Sequence, residues 1–261
     1  MRGLALEGGG ARGAYQIGVV KALFEKGYGF DGFVGTSIGA INAALLAQGD
    51  FDKALELWLN ISVEQIFYED EVSLIELIDA NSFKTDIKHV IKAGHIALSK
   101  IINDKGFHTE KMKALLEQYI DEEKIRAAAK DFGLVAVSLS ERKPYELMLE
   151  DIPEGLLVNY IMASASLPGF HPETIKGTAF LDGGLYNNCP YNLLSKKGYD
   201  EIIVARITKI PIFHRQGESR VKFITPSDDL GNILLFSPEN SASKIELGYC
   251  DGLRHIETWH E

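Results

Sequence analysis

The chain has 261 residues, of which 46% are hydrophobic and 25% charged, and this composition predicts one large globular domain with a buried core. Its net charge of −10 at pH 7 argues against a nucleic-acid surface and against strong attraction to anionic lipid headgroups. No apolar run is long enough to span a membrane, no signal-peptide pattern follows Met1, and Cys189 and Cys250 do not suggest a disulfide framework or a zinc site, so we expect a cytoplasmic protein.

The first fifty residues predict two strands that alternate with two helices. A strand at residues 4–7 precedes a helix over residues 14–26, which has apolar residues at helical spacing and stops at Gly27. A second strand at residues 30–35 leads into a helix of small residues over 38–48. This alternation indicates a βαβ unit and a parallel sheet.

The rest of the chain predicts a helical block followed by further strands. Residues 51–130 have mostly helical patterns, and we expect a helical insertion or lid over about residues 60–130. The last helix is predicted to begin near Ser237-Pro238. Further strands are predicted at residues 133–139, 145–149, 178–181, 201–207 and 221–224. We therefore predict a single α/β domain over residues 1–261, with helices beside a sheet that is mainly parallel.

A glycine-rich loop, Gly-Gly-Gly-Ala-Arg-Gly at residues 8–13, lies between the first strand and the first helix. Backbone amides in such a loop are suited to holding an anion. The spacing Gly-x-Gly-x-x-Gly also fits a dinucleotide-binding loop, for which Asp31 would be the acidic partner. Asp31 precedes the apolar residues of the second strand instead of ending that strand, which argues against a nucleotide site. Arg12 is suited to an anionic group or to bracing the loop.

A serine follows the second strand in the pentapeptide Gly35-Thr36-Ser37-Ile38-Gly39. A nucleophilic serine on a sharp strand-to-helix turn needs small residues two positions to either side, because strand and helix approach closely there. Gly35 and Gly39 meet this need. The alternative is that Ser37 is an ordinary helix N-cap.

A nucleophilic serine needs a base, and Asp182 is one candidate. It follows an apolar strand, and its carboxylate would be more basic in a desolvated site. Asp182-Gly183 is also a common hairpin turn. The order Ser37, Asp182, His255 matches an α/β-hydrolase triad, although that fold places several strands before its nucleophile. We expect His255 to lie on a solvated helix face and His171 to lie in a loop near the site.

Four motifs, in this order, resemble the patatin-like phospholipase family. Residues 186–190 and 198–204 continue the resemblance, which covers nearly the whole chain. The four motifs are the glycine loop Gly8–Gly13, the serine turn Gly35–Gly39, the stretch Ala163–Pro168 and Asp182-Gly183-Gly184. The resemblance implies a three-layer α/β/α domain with a helical insertion, and a lipid acyl hydrolase of the phospholipase A or esterase type.

The resemblance also implies roles for individual residues. Ser37 would be the nucleophile and Asp182 the base of a Ser–Asp dyad. Gly9 and Gly10 would donate backbone N–H groups to the oxyanion, each worth about 3 kcal/mol in the transition state. Arg12 would hold the loop or meet a lipid phosphate, with Gly8 and Gly13 as further loop residues. We expect no metal or other cofactor, an acyl-ester or lipid substrate, and transient contact with a membrane or micelle surface.

Other functions are compatible with the same residues. A thioesterase or acyltransferase acting on carrier-bound acyl groups would use the same dyad, and a nucleotide-binding or catalytically silent regulatory protein would not use it. Residues 86–102 predict an amphipathic helix with several lysines off its apolar face. Such a helix can be a lid or a lipid contact, but it is more often an ordinary packed surface helix, which is the interpretation we favour.

Overall fold

The strands form one mixed sheet whose central part is parallel. The computed structural model describes residues 1–73, 75, 106–209 and 220–259. Within these residues the sheet has the strand order β5-β6-β3-β2-β1-β7-β8, and β4 pairs with β3. The strands are β1 (Arg2–Leu6), β2 (Gly32–Thr36), β3 (Asp131–Ser138), β4 (Lys143–Met148), β5 (Glu173–Ile175), β6 (Thr178–Asp182), β7 (Glu201–Ala205) and β8 (Arg220–Ile224).

Parallel pairing brings the carboxyl ends of the central strands to one edge of the sheet. Strands β3, β2, β1, β7 and β8 are parallel neighbours, whereas β4 and β6 run antiparallel to β3. Ala136 of β3 pairs with Asp182, the last residue of β6. Because β3 extends beyond its pairing with Thr36, β6 delivers Asp182 to the edge where β2 ends.

Helices cover both faces of the sheet. Alternate residues of β1 point to opposite faces, so that Leu4 and Leu6 belong to the larger apolar core and Ala5 to a second core beneath α8. The helices, numbered along the described residues, are α1 (Ala14–Glu25), α2 (Ile38–Ala47), α3 (Phe51–Asn60), α4 (Val63–Ile66), α5 (Glu110–Tyr119), α6 (Glu122–Ala127), α7 (Leu157–Ser164), α8 (Tyr191–Lys196) and α9 (Pro238–Thr258). The predicted α/β fold with a mainly parallel sheet is confirmed.

The structure adds one strand to the sequence prediction and confirms where the last helix begins. The three-residue strand β5 was not predicted, because it is too short to show an alternating pattern and exists through its pairing with β6. Helix α9 begins at Pro238, and the Ser237 side chain accepts a hydrogen bond from the Asn240 amide, as the cap pattern predicts. The predicted helix at residues 86–102 lies outside the described residues.

Candidate active site

Ser37 occupies a strained turn between β2 and α2. Its φ of 56° and ψ of −128° lie in a region that L-residues rarely adopt. A Cβ on Gly35 would collide with the Gly39 carbonyl, and one on Gly39 would collide with the Leu6 carbonyl. The backbone amide of Ser37 donates a 2.9 Å hydrogen bond to the Ser164 hydroxyl. The Ser37 side chain makes no helix-capping hydrogen bond, so the ordinary N-cap interpretation is wrong.

Asp182 ends β6 as a buried residue. Its amide donates to the Ser166 carbonyl at 2.7 Å, and its Oδ1 accepts from the Gly184 amide at 2.7 Å. Its Oδ2 is buried and has no hydrogen-bond partner in the described parts of the chain. Burial raises the pKa of Asp182 to about 6, and the nearby Ser37 hydroxyl and Gly184 amide oppose part of that rise. A short 3₁₀ turn (Gly183–Leu185) follows instead of a hairpin partner, so the hairpin interpretation is also wrong.

The glycine loop lies beside Ser37 with two backbone amides free. Gly10 has φ of 58°, and a Cβ there would collide with the Ile233 carbonyl, so the loop needs glycine at this position. Across the residues that the structure describes, the N–H groups of Gly9 and Gly10 are paired with no acceptor. A Cβ on Gly8 would lie 3.1 Å from the Ser37 Cβ. The loop therefore presents two unused donors close to the serine.

The other loop residues hold the loop in place. The Arg12 Nε donates to the Gly231 carbonyl at 2.8 Å, which ties the glycine loop to the segment around Gly231. A Cβ on Gly13 would lie 2.6 Å from Ile38 Cγ1, which explains why the helix start packs so closely against α2. Asp31 precedes β2 and accepts from the Arg2 amide at 2.8 Å. It lies at the opposite sheet edge from the loop, which rules out the ribose-binding role.

The family model of patatin-like phospholipases matches residues 4–195, which is most of the chain. The chain belongs to the patatin-like phospholipase family. The chain is 27% identical over 203 residues to patatin-like phospholipase domain-containing protein 7 of Rattus norvegicus, a match covering 77% of this chain and 13% of that protein. It is 61% identical over 46 residues to lysophospholipase nte1 of Aspergillus terreus, covering 18% of this chain and 3% of that protein. The chain thus matches a small part of these longer relatives.

Solved structures support the same fold. VipD from Legionella pneumophila superposes with a TM-score of 0.53 and 16% identity, covering 98% of this chain and 67% of that one. The ExoU chain of the ExoU–SpcU complex from Pseudomonas aeruginosa gives a TM-score of 0.50 and 20% identity, covering 99% of this chain and 51% of that one. Both likenesses concern the arrangement of the sheet and its helices.

Asn188 joins the glycine loop of this patatin-like domain to the Asp182 turn. The Gly8 amide donates to the Asn188 carbonyl at 3.0 Å, and the Asn188 Nδ2 donates back to the Gly8 carbonyl at 3.0 Å. A Cβ on Gly184 would lie 2.8 Å from the Asn188 Oδ1. This role of Asn188 was not predicted from the sequence. The Asn187-Asn188 pair, which begins three residues after Gly184, is the signal that could have found it.

A buried ion pair anchors the start of the loop. Glu7 follows β1, and its carboxylate accepts from the Arg206 Nε at 3.0 Å and from the Ile207 amide at 2.7 Å. Both charged side chains are almost fully buried. A charged pair with this geometry is costly to break, because either partner alone would leave a buried charge. The charged residue at the end of an apolar strand is a signal that sequence analysis did not use.

Buried amide side chains connect the loop to the helix behind Ser37. The Gln16 Nε2 donates to the Glu7 carbonyl at 2.7 Å. The Asn42 Nδ2 donates to the Gln16 Oε1 at 2.9 Å and to the Gly13 carbonyl at 3.0 Å. The Trp58 Nε1 donates to the Asn42 Oδ1 at 2.8 Å. This network fixes α1, α2 and α3 relative to the glycine loop.

Neither predicted alternative base is bonded to the serine or the aspartate. The His255 Nε2 accepts from the Thr225 amide at 3.4 Å. The His171 ring lies against His108, with 4.6 Å between the ring centroids, and no hydrogen bond joins either predicted histidine to Ser37 or Asp182 in the described chain. The titratable group near the Ser37 hydroxyl is instead the carboxyl of Asp182.

An apolar cavity opens beside Ser37. It is narrow, with a volume of about 30 Å³, so an acyl chain would require its side chains to move apart. Its lining residues are Gly10, Ser37, Ile38, Ile41, Ile66, Phe67, Met112, Ala165, Leu167, Phe170, Ile233, Leu234 and Phe236.

Among the helices of the described residues, none combines the length and the apolar composition that a membrane span requires.

Proposed function

We propose that this chain is a lipid acyl hydrolase of the phospholipase A or esterase type that works through Ser37 and Asp182. One observation carries the proposal: a strained, buried serine has its hydroxyl near a buried carboxylate whose Oδ2 has no other partner among the described residues. Family membership supports the lipid substrate class. We further propose that residues 1–261 form a single patatin-like domain, with a helical insertion over about residues 60–130.

In acylation, the Ser37 Oγ attacks the ester carbonyl carbon while its proton passes to the Asp182 carboxylate. A base with a pKa of about 6 is largely ionised at pH 7 and is more basic than an exposed aspartate. The negative charge on the former carbonyl oxygen is stabilised by the Gly9 and Gly10 amides, which have no other acceptor among the described residues. As the tetrahedral intermediate collapses, Asp182 protonates the departing alcohol and an acyl-Ser37 ester remains.

In deacylation, Asp182 accepts a proton from water, which attacks the acyl-Ser37 carbonyl. Collapse of this second intermediate returns the proton to the Ser37 Oγ and releases the fatty acid. The cavity lined by Ile38, Phe67 and Phe170 would accept the first carbons of the acyl chain. Its lining among the described residues is mostly apolar, which suits an acyl chain, and it includes no charged side chain that could bind the phosphates of a nucleotide.

The test is hydrolysis of phosphatidylcholine, lysophosphatidylcholine, an acyl-coenzyme A and p-nitrophenyl butyrate by the purified chain. Ser37→Ala and Asp182→Asn should each lower kcat by at least about 10³-fold, with unchanged circular dichroism. Ser243→Ala and Asp52→Asn, at exposed helix positions, are the matched controls and should retain full activity. Retained turnover in a folded Ser37→Ala protein would contradict the mechanism. Faster cleavage of the thioester than of every oxygen ester would favour the thioesterase alternative.

A further inference from the structure

Two large apolar side chains stand exposed next to each other just after Asp182. Leu185 and Tyr186 are 57% and 58% exposed. In the part of the chain that the structure describes, neither packs against an apolar core cluster. Exposed apolar residues that occur singly are ordinary, but an adjacent pair on a turn that carries a candidate catalytic residue needs an explanation.

The pair lies on the rim of the candidate active site. Leu185 ends the 3₁₀ turn that begins directly after Asp182. The Asp182 amide is bonded to the Ser166 carbonyl, and the next residue, Leu167, lines the apolar cavity and is partly exposed. Exposed or partly exposed apolar residues therefore follow both partners of the Asp182–Ser166 bond closely in the chain.

The turn holds the pair outward. The amides of Tyr186 and Asn187 donate to the Gly183 carbonyl at 3.0 and 2.9 Å. The Asn187 carbonyl accepts from the Thr36 hydroxyl at 2.8 Å, and its Nδ2 donates to Glu146 at 3.2 Å. These bonds fix the backbone on the carboxyl side of the pair, and in this conformation both side chains are exposed.

We propose that Leu185 and Tyr186 form a membrane-docking tip that inserts into the surface of an uncharged lipid layer and sets the active site against it. The inference rests on the proposed function, since a lipid hydrolase must reach esters that lie just below a lipid surface. Leucine supplies apolar area, and tyrosine places an apolar ring below a hydroxyl that stays at the polar boundary. With a net charge of −10, docking relies on this apolar contact and has little dependence on salt.

The experiment measures lipid binding separately from hydrolysis. Sedimentation with phosphatidylcholine vesicles is carried out in the Ser37→Ala background, which prevents turnover, with and without the double substitution Leu185→Ser/Tyr186→Ser. The control is Phe24→Ser, because Phe24 is 37% exposed, lies in the last turn of α1 and packs against Phe30 just before β2 begins, away from the site. Hydrolysis of soluble p-nitrophenyl butyrate is measured for the same substitutions in the active chain.

The double variant should bind vesicles about tenfold more weakly and keep its rate on the soluble ester within about twofold. The Phe24 variant should match the parent in binding. Equal vesicle binding by the double variant and its parent would overturn the proposal, as would equal losses on vesicles and on the soluble ester, which would assign the pair to the site itself. A dimer in light scattering that the double substitution dissociates would assign the tip to a second copy. If the soluble ester is not cleaved by the parent while vesicle binding still depends on the tip, the proposed function fails and the docking tip stands.

Discussion

Ser37 and Asp182 are held in place by different means. Ser37 is constrained by steric contacts within a short stretch of chain, because the close approach of Gly35 and Gly39 leaves no alternative path for the backbone. Asp182 is held by hydrogen bonds to segments that are distant in sequence, from Ser166 on one side and through Asn188 to the glycine loop on the other. A single added methyl group should therefore disrupt the serine turn, whereas the loss of one hydrogen bond should destabilise the aspartate turn only in part.

The largest expected effect is at the serine turn. Gly39→Ala places a methyl group against the Leu6 carbonyl and should lower the free energy of unfolding by more than about 3 kcal/mol. Gly29→Ala is the matched control, since a Cβ there meets nothing within 4 Å. Chemical denaturation of both variants measures the difference. Equal stabilities would show that steric contact does not define this turn.

The next effect concerns the charge on Asp182. Burial raises its folded pKa from 3.8 to about 6, so the folded state favours the protonated form. The stability that this proton contributes is fully present below pH 4 and is lost as the pH rises through 6. The rise in pKa from 3.8 to about 6 corresponds to about 3 kcal/mol in the free energy of unfolding. Asp182→Asn cannot ionise and should be more stable than the parent at pH 7.5 while being inactive. Thermal unfolding from pH 4 to 8 should show the two curves converging at low pH, and parallel curves would contradict the raised pKa.

A smaller effect is expected at Asn188, which joins the glycine loop to the Asp182 turn. Asn188→Ala removes the side-chain bond to the Gly8 carbonyl and should cost about 1 kcal/mol of stability. Because the glycine loop and the Asp182 turn would then shift relative to each other, kcat should fall about tenfold with little change in KM. Asn159→Ala, which removes a bond to Glu173, is the control. A rise in KM with unchanged kcat would mean that Asn188 contributes to binding and not to alignment.

The smallest effects are expected at the histidines. His171→Ala and His255→Ala should each retain most of the activity, since neither ring is bonded to Ser37 or Asp182 within the described residues. Steady-state kinetics on a soluble ester provides the measurement. A near-total loss at either position, in a folded protein, would restore the histidine triad.

The same contrast explains how much could be predicted from the sequence. The alternation of strand and helix over the first fifty residues and the turn at Ser37 depend on local pattern, and the structure has both. Strand β5 and the roles of Asn188 and the Glu7–Arg206 pair depend on contacts between residues far apart in the chain. The asparagine pair and the glutamate after an apolar strand mark these positions in the sequence, but they do not identify the distant residues that they bond. The position of Asp182 was predicted at a strand end, but its pairing with β3 was not.

The central claim, that Asp182 activates Ser37, is tested most directly by the rate of covalent labelling with a fluorophosphonate probe followed by peptide mass spectrometry. We predict that the parent is labelled at Ser37 alone, that Ser37→Ala is not labelled, and that Asp182→Asn reacts at least about 100-fold more slowly. The labelling rate of the parent should rise with pH through about 6, following ionisation of Asp182. Labelling at another serine, or an undiminished rate in Asp182→Asn, would contradict the dyad.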